Sequence, residues 1–270
     1  MRRALGTLLS RFGLLRIARR GYRFAVGRAR TVAWILGGAS DEKGIPVPPP
    51  HLCFRSAASY DTSHFLATGR QGMESLSRML ADIGRPLPGF CRLLDLGCGC
   101  GRIIRHLPVT GVPATVGADI DEAAVRWCRR SLTGKYVRSG LSDPLPFRGE
   151  SFDLVLAIAV VCHLSIPLQR SLLRELERIL APDGVALVTV KGPSRREELP
   201  PRLLPEFDSG GPVVVEPEFS GTRYCLAYHP PGSLRHLLPA GLRMAARVPL
   251  GSTDTQQDAC LLVRDGGERA

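Results

Sequence analysis

The sequence predicts an α/β fold: a doubly wound, mostly parallel sheet of seven strands, preceded by a helical arm. Three observations predict it. From Cys91 onward, short apolar runs alternate with segments of helical periodicity, at the spacing of strand–helix–strand units. The first of these runs ends in a turn with three glycines in five residues, Gly97-Cys98-Gly99-Cys100-Gly101. The chain of 270 residues is 44% apolar and 23% charged, an ordinary globular composition that excludes wholesale disorder. A core of that size buries roughly three quarters of the unfolded chain's surface, so no disulfide or metal staple is required.

The arm comes first. Residues 1–40 hold nine arginines and no acid, which is +9 of the net +11, so the rest of the chain is nearly neutral. The charge is a basic tag and not the footprint of a nucleic-acid-binding body, and no nucleic-acid partner is expected. Arginine outnumbers lysine 33 to 3, which reads as genome composition bias. Leu14, Ala18, Tyr22, Ala25, Ala29, Val32 and Leu36 form one stripe at helical period, with Arg16, Arg19, Arg20, Arg23 and Arg30 opposite. Gly21 and Gly27 weaken this helix by about 1 kcal/mol each. A helix of this kind suits peripheral contact with an anionic membrane surface. Its small apolar residues equally suit packing on the body, and an Arg-rich, acid-free mitochondrial-type presequence is a rival. The arginines run through the would-be apolar part, against a secretory signal.

Residues 41–59 read as a Pro-rich linker, stiffened by Pro48-Pro49-Pro50. A domain is expected over 60–270. It opens with a helix over 61–83 that stops at Gly84 and Pro86. Strands are expected at 91–96, 114–118, 135–138, 153–159 and 184–190, with helices at 101–107, 121–132 and 167–180 between them. Residues 193–231, rich in proline, interrupt the pattern as an insertion on the substrate side, a lid or a disordered loop. A helix at 233–239 and strands at 242–248 and 258–264 follow. No apolar run approaches ~18 residues, so no membrane span is expected. The eight cysteines show no secreted framework and no paired metal spacing, and they read as reduced thiols of a cytoplasmic protein, with no metal site.

The glycine turn carries the chemistry. Leu93-Leu94-Asp95-Leu96 is a short strand, and the glycines after it let a ligand approach the main chain closely. A helix start is expected next, with unpaired N–H groups. Asp95 lies two residues before the first glycine. Asp119 ends the next strand, 18 residues after Gly101, where a carboxylate can accept from ribose hydroxyls, or cap the next helix together with Asp121. A dinucleotide fingerprint is G-x-G-x-x-G, and here the third glycine comes one residue early. The Asp95 carboxylate fits a ligand bearing an ammonium group better than a pyrophosphate.

LLDLGCGCGR, GADID, SFDLVLAIAVVCHL and LRELERILAPDGVALVTVKG together resemble the class I S-adenosylmethionine-dependent methyltransferases. The resemblance is close over 90–192 and looser over 60–265, and is strongest to bacterial enzymes found with polysaccharide and cell-envelope glycan genes. It implies a Rossmann-like fold and S-adenosyl-L-methionine as cofactor. Asp95, Gly97, Cys98, Gly99 and Gly101 would hold the methionine part, Asp119 the ribose, and Ile120 the adenine face. Leu141 and Ser142 would meet the adenine edge, and Ala157 the methionine side. Two departures stand out. The turn usually written Pro-Gly-Gly is Pro182-Asp183-Gly184, and the usual acid before the adenine edge is missing from Ser139-Gly140-Leu141-Ser142. Cys162 stands where a threonine is common in the glycan-linked relatives.

No motif of amino-group or cytosine methylation is present, which leans toward O-methylation of a glycan or small envelope-related acceptor. His163, just past a strand end, is the one candidate base, against a structural role in tying down the next loop. His229, His64 and Tyr60 are weaker candidates. Two other classes stay open: an NAD(P)-dependent oxidoreductase, against which the early third glycine and the missing Tyr-x-x-x-Lys count, and a non-catalytic cofactor-binding module tethered by its basic arm. The sequence leaves the oligomeric state open.

Overall fold

The structure is a computed structural model that describes Ala29, Thr31, Val32, Trp34 and Gly37, together with residues 40–142, 144–252 and 254–265. The arm expected over residues 1–40 thus lies almost wholly outside the described residues. The described chain divides between Leu66 and Ala67 into two compact units.

In the first unit, the Trp34 indole N–H donates to the Val47 carbonyl at 3.0 Å. Asp41 closes a turn by accepting from the Lys43 and Ile45 amides, both at 2.9 Å. The linker expected over 41–59 is only partly extended, because helix α1 occupies Pro50–Ala57. Pro50 starts that helix instead of preventing it. Its fixed φ suits the first turn, where no N–H is needed. Leu52 and Cys53 are buried, and α1 ends at Ala58 in the left-handed region. Tyr60 stacks on Phe54 with ring centroids 4.3 Å apart.

Helix α2, Thr62–Asp82, runs across the division and matches the helix expected at 61–83. In the second unit it leads into β1 (Arg92–Leu96), β2 (Ala114–Asp119), helix α3 (Glu122–Ser131), β3 (Lys135–Arg138), β4 (Phe152–Ala157), helix α4 (Ile166–Ile179) and β5 (Leu180–Val190). The insertion contributes the short helix α5 (Leu204–Asp208), β6 (Val213–Val215) and β7 (Leu226–Tyr228), and β8 (Leu242–Ser252) and β9 (Gln257–Arg264) close the sheet. The order is β3-β2-β1-β4-β5-β9-β8. The first five strands are parallel, and β9 and β8 run antiparallel at the edge.

Side-chain alternation builds the two layers. Leu93, Leu154, Leu156, Val185, Leu187 and Leu261 share a cluster with Leu76 and Leu80 of α2 and Val125 of α3. Leu94, Leu96, Val155, Ala186 and Val188 join Leu173 and Leu176 of α4 on the other face. Two expected helices are absent as α-helices. The segment after the glycine turn is a series of turns and a 3-10 helix, Ile104–Thr110, and Ser233–Leu237 is likewise 3-10. In the first case Gly101 sits at φ +86 and Pro108 lacks an amide proton, so neither end of the segment supports an α-helical ladder. The insertion is folded, with β6 and β7 paired and its own small core of Leu199, Phe207, Val213 and Tyr228. Asp183 occupies the left-handed region at φ 59, where the resembling family has glycine, and Asp tolerates that conformation better than most residues. No helix among the described residues is long and apolar enough to cross a membrane.

Candidate functional site

The winding of the sheet reverses between β1 and β4, and in such sheets ligands bind in the crevice at the strands' carboxyl ends. The glycine turn lies there. Gly97, Gly99 and Gly101 all have positive φ, at 78°, 53° and 86°. A Cβ on Gly97 would stand 2.4 Å from Val160 Cγ2, and one on Gly101 would stand 2.3 Å from Leu132 Cδ1. Conformation and space therefore both demand glycine at these two positions. The Gly97 and Cys98 amides donate to the Ala118 carbonyl at 2.7 and 3.1 Å, which ties the turn to the end of β2.

Asp119 completes the tie. One carboxylate oxygen accepts from the Gly99 amide at 2.6 Å and the other from the Asp121 amide at 2.8 Å. Asp121 caps α3, accepting from Ala123 and Ala124, so the capping role weighed for Asp119 belongs to its neighbour. Asp119 instead holds the glycine turn beside the end of β2.

Asp95, paired across the sheet with Gly117 and Leu156, is buried, and its Oδ2 has no hydrogen-bond partner. Burial pushes its pKa up from 3.8 to about 7; the nearby Arg102 guanidinium pulls it down, and Asp119 adds to the rise. Arg102 is itself committed. It forms a buried ion pair with Asp254 and donates to the Thr68 carbonyl at 3.3 Å. Helix α2 lies against this segment closely enough that a Cβ on Gly69 would stand 2.3 Å from the Arg102 carbonyl oxygen. The Asp95 Oδ2 atom is thus a buried, unpartnered oxygen two residues before the glycine turn.

The remaining expected cofactor residues divide. Ile120 and Leu141 are exposed large apolar side chains, and Ser142 is exposed. The Ser139 amide donates to the Asp119 carbonyl at 3.0 Å, which brings the two strand ends together. The Ala157 side chain points into the core at the last position of β4. Cys98 is buried too, and a hydrogen bond with Cys128 and burial push its thiol well above its ordinary value, so it stays a neutral packing group.

A second polar cluster stands past β4. His163 ends a short turn, Val161–His163, with Nδ1 2.8 Å from the Cys225 carbonyl oxygen. A carbonyl only accepts, so Nδ1 carries the proton and Nε2 keeps its lone pair. Burial would lower the His163 pKa, but the Cys162 thiol, a hydrogen bond with it and the Cys225 carbonyl together hold it above the ordinary value. The insertion folds back on this turn. The Gly221 amide donates to the His163 carbonyl at 2.8 Å, and the Ser165 amide donates to Ser220 Oγ at 3.0 Å. Gly221 also abuts Leu141, since a Cβ there would stand 2.4 Å from Leu141 Cδ1. His163 therefore both ties a loop and presents a ring nitrogen. His229 is fully buried and bonded to Ser233, and burial pushes it down to about 3, so it is a neutral core residue.

Sequence reasoning did not find the partners of this cluster. Gln257 Nε2 donates to Cys162 Sγ at 3.3 Å, and Thr189 donates to Gln257 Oε1 at 2.7 Å. Lys191 pairs with Glu198 at 2.7 Å, and Tyr228 reaches the same carboxylate at 3.2 Å. The one available signal was a polar Gln257-Asp258 pair opening an otherwise apolar strand. Among the described residues no group of three or more His, Cys, Asp or Glu gathers to hold a metal ion.

Comparison with known proteins agrees with this geometry. Residues 94–188 match the family described as methyltransferase domain. The chain is 36% identical over 107 residues to phthiotriol/phenolphthiotriol dimycocerosates methyltransferase 1 of Mycobacterium ulcerans, covering 38% of each protein. It is 32% identical over 128 residues to the tRNA (carboxymethyluridine(34)-5-O)-methyltransferase of Xenopus tropicalis, covering 47% of this chain and 19% of that one. The chain thus spans well under half the length of these relatives. Among solved structures, magnesium protoporphyrin IX methyltransferase of Synechocystis PCC 6803 with bound S-adenosylhomocysteine aligns at TM-score 0.52 and 20% identity, over 74% of this chain and 86% of that one. A Pyrococcus horikoshii protein aligns at TM-score 0.52 and 20% identity, over 73% and 90%. The fold is that of the Rossmann-like methyltransferases. Over residues 94–188 the chain is similar to that methyltransferase domain family.

Proposed function

We propose that this methyltransferase domain O-methylates a hydroxyl group of a glycan or small envelope-related acceptor, with His163 as the proton acceptor. The observation that carries the reading is the pairing of two polar sites at one end of the sheet: the orphaned Asp95 carboxylate beside the glycine turn, and the His163 imidazole past β4. Bound in the cradle, S-adenosylmethionine supplies an activated sulfonium methyl group. Asp95 receives the ammonium of its methionine part, and the Gly97–Gly101 turn leaves room for it, with Cys98 contributing only main chain. Asp119 faces the ribose, Ile120 and Leu141 the adenine, with Ser142 at its edge, and Ala157 closes the methionine side by its backbone. His163 takes the acceptor's hydroxyl proton and passes it to water, so no redox partner is needed.

The insertion favours an uncharged acceptor. Residues 193–231 carry six carboxylates against four arginines, a poor match for a polyanion. Phe219 and Tyr224 stand exposed on it in an edge contact, ring centroids 6.2 Å apart, beside the segment that abuts Leu141. Aromatic faces of this kind suit the apolar face of a sugar ring or a lipid-like diol. The same charge count argues against a transfer-RNA acceptor, and the methyltransferase match leaves hydride transfer with NAD(P) unfavoured. In this reading the protein works in the cytoplasm, and the basic segment 1–40 brings it to an anionic membrane surface.

The test is transfer of isotope from methyl-labelled S-adenosylmethionine to envelope glycan extract, to lipid diols and to total tRNA. Label in the glycan or diol fraction, as an ether stable to mild base, is expected. Label confined to tRNA would overturn the acceptor class, and tight NADH binding without a response to S-adenosylhomocysteine would overturn the whole reading. Co-sedimentation with anionic vesicles, comparing the full chain with one starting at Gly44, tests the arm. Equal, salt-insensitive sedimentation of the two would remove the membrane role.

A further inference from the structure

We infer that Gln169 is a positioning residue for His163: its side-chain amide holds the turn on both sides of the ring, so that Nδ1 meets the Cys225 carbonyl and Nε2 is left to take a proton. The inference rests on His163 being the proton acceptor proposed above.

Helix α4 buries one stripe at helical period, Gln169, Leu173, Leu176 and Ile179. Gln169 is the polar member of that stripe, and it is fully buried. Its Nε2 donates to the Leu164 carbonyl at 2.9 Å and to the Val161 carbonyl at 3.3 Å. Carbonyls only accept, so the amide can meet them only with its nitrogen. That leaves Oε1 with no hydrogen-bond partner among the described residues. A buried acceptor without a partner is costly, and a leucine or methionine at this position would avoid the cost. What the glutamine supplies in return is a fixed turn.

That turn carries His163. Val161 and Leu164 flank it and are buried, so water does not stand in for the amide. The His163 amide donates to the Val160 carbonyl at 2.9 Å, and the Leu164 amide reaches back to the Val161 carbonyl at 3.2 Å. The insertion holds the same turn from its own side, through the Gly221 amide on the His163 carbonyl and Ser220 Oγ on the Ser165 amide. Gln169 is the counterpart from α4. With the backbone held on each side of His163, the ring is directed so that Nδ1 lies 2.8 Å from the Cys225 carbonyl oxygen. Which ring nitrogen keeps its lone pair is set by the bond the other one makes. A neutral histidine free in water favours the proton on Nε2, which would leave no base there. Gln169 therefore acts through the backbone on which nitrogen is free, without touching the reacting atoms.

The experiment is nitrogen NMR of the His163 ring in the full-length protein with isotope-labelled histidine. The protein is saturated with S-adenosylhomocysteine at alkaline pH, where the ring is neutral, and no acceptor is needed. In the unsubstituted protein the proton is expected on Nδ1. In Gln169→Met, which is close to glutamine in length and has no side-chain N–H, a share of the rings should carry it on Nε2, with unchanged S-adenosylhomocysteine affinity. The melting temperature should shift by less than about 3 °C, because one orphaned acceptor, Oε1, is exchanged for another, the Leu164 carbonyl. Gln169→Leu should behave alike. In the glycan or diol fraction that takes label, the initial rate of methyl transfer should fall roughly 10–100-fold in both variants, as for a misplaced reacting group. A proton on Nε2 in the unsubstituted protein would overturn the inference without any variant. So would a ring that stays wholly Nδ1-protonated in both variants, and a fall in stability beside it would make Gln169 a packing residue only. Full methyl transfer by His163→Asn would instead overturn the base reading, whatever the ring shows.

Discussion

The two halves of the carboxyl end of the sheet solve opposite problems. On the β1–β2–β3 side, the chain buries a carboxylate and leaves Oδ2 of Asp95 unpartnered. On the β4–β5–β9 side, His163, Cys162, Gln257, Thr189, Lys191 and Glu198 all find partners within the protein. A buried, unpartnered carboxylate destabilises the free fold until it takes up a proton or a cationic ligand. A fully partnered polar cluster fixes geometry before any ligand arrives. On the proposed function, the first half receives a cation and the second orients a group that must act.

If that division holds, the two functions separate by mutation. His163→Asn should lower methyl transfer by roughly 10²–10⁴-fold, the range for losing a general base, while calorimetry with S-adenosylhomocysteine gives an unchanged affinity. A matching loss of cofactor affinity would merge the two halves into one. The next largest effect belongs to Asp95→Asn, and its sign depends on pH. The Asp95 pKa is raised by burial from 3.8 to about 7. The stability this group contributes is therefore fully present below the unfolded value and is lost as pH rises through about 7. That loss is about 4 kcal/mol from the shift itself. Asn mimics the neutral acid. The variant should match the parent below pH 4, exceed its thermal stability at pH 8, and bind S-adenosylhomocysteine roughly 10–100-fold more weakly, because a hydrogen bond to a charged group is gone. Parallel stability–pH curves for the two proteins would show that Asp95 is not the strained group.

The same contrast explains what could be read from the sequence. The proposed cofactor half is local: Asp95, Gly97, Gly99, Gly101 and Asp119 fall within 25 residues, and each residue type announces its backbone or charge role. All seven main strands are visible too, most as apolar runs bounded by turn residues, and β3 as Tyr136-Val137 between two basic residues. The proposed acceptor half is assembled over long range. Gln257 meets Cys162 across 95 positions, and His163 meets Cys225 across 62. No local pattern encodes such a meeting; it follows from β9 lying beside β5, and from the insertion folding back. Short segments failed for a different reason. Proline reads as a breaker in sequence, yet Pro50 opens a helix, while Pro108 falls in a segment that is 3-10 and not α.

Ion pairs extend the comparison. Arg102 and Asp254 are paired with side-chain exposures of 10% and 0%, behind the glycine turn. Asp254→Ala leaves a buried guanidinium, and about 3 kcal/mol of stability should be lost in urea titration. Arg196 and Asp208, on the insertion, pair in the open, so Asp208→Ala should leave the urea midpoint unchanged. Equal losses would mean that the insertion is as integral to the fold as the segment behind the cofactor cradle.

The smallest effect is expected at the exposed edge of the insertion. Tyr224 is 63% exposed and touches Phe219 only edge-on, so truncating it removes little buried area. Tyr224→Ala should change stability by less than about 0.5 kcal/mol, as surface substitutions usually do. It should leave S-adenosylhomocysteine affinity alone as well, because the hydrogen bonds that seat this segment come from Gly221, Ser220 and the Cys225 carbonyl and not from the ring. What should change is acceptor KM, which should rise while kcat is kept, since an aromatic face outside the catalytic turn can lend only binding that is equal in ground and transition states. A kcat that falls while KM holds would place Tyr224 with His163. A fall in cofactor affinity would place it with Leu141 and the adenine, and the line between the two halves would then run through the insertion rather than beside it.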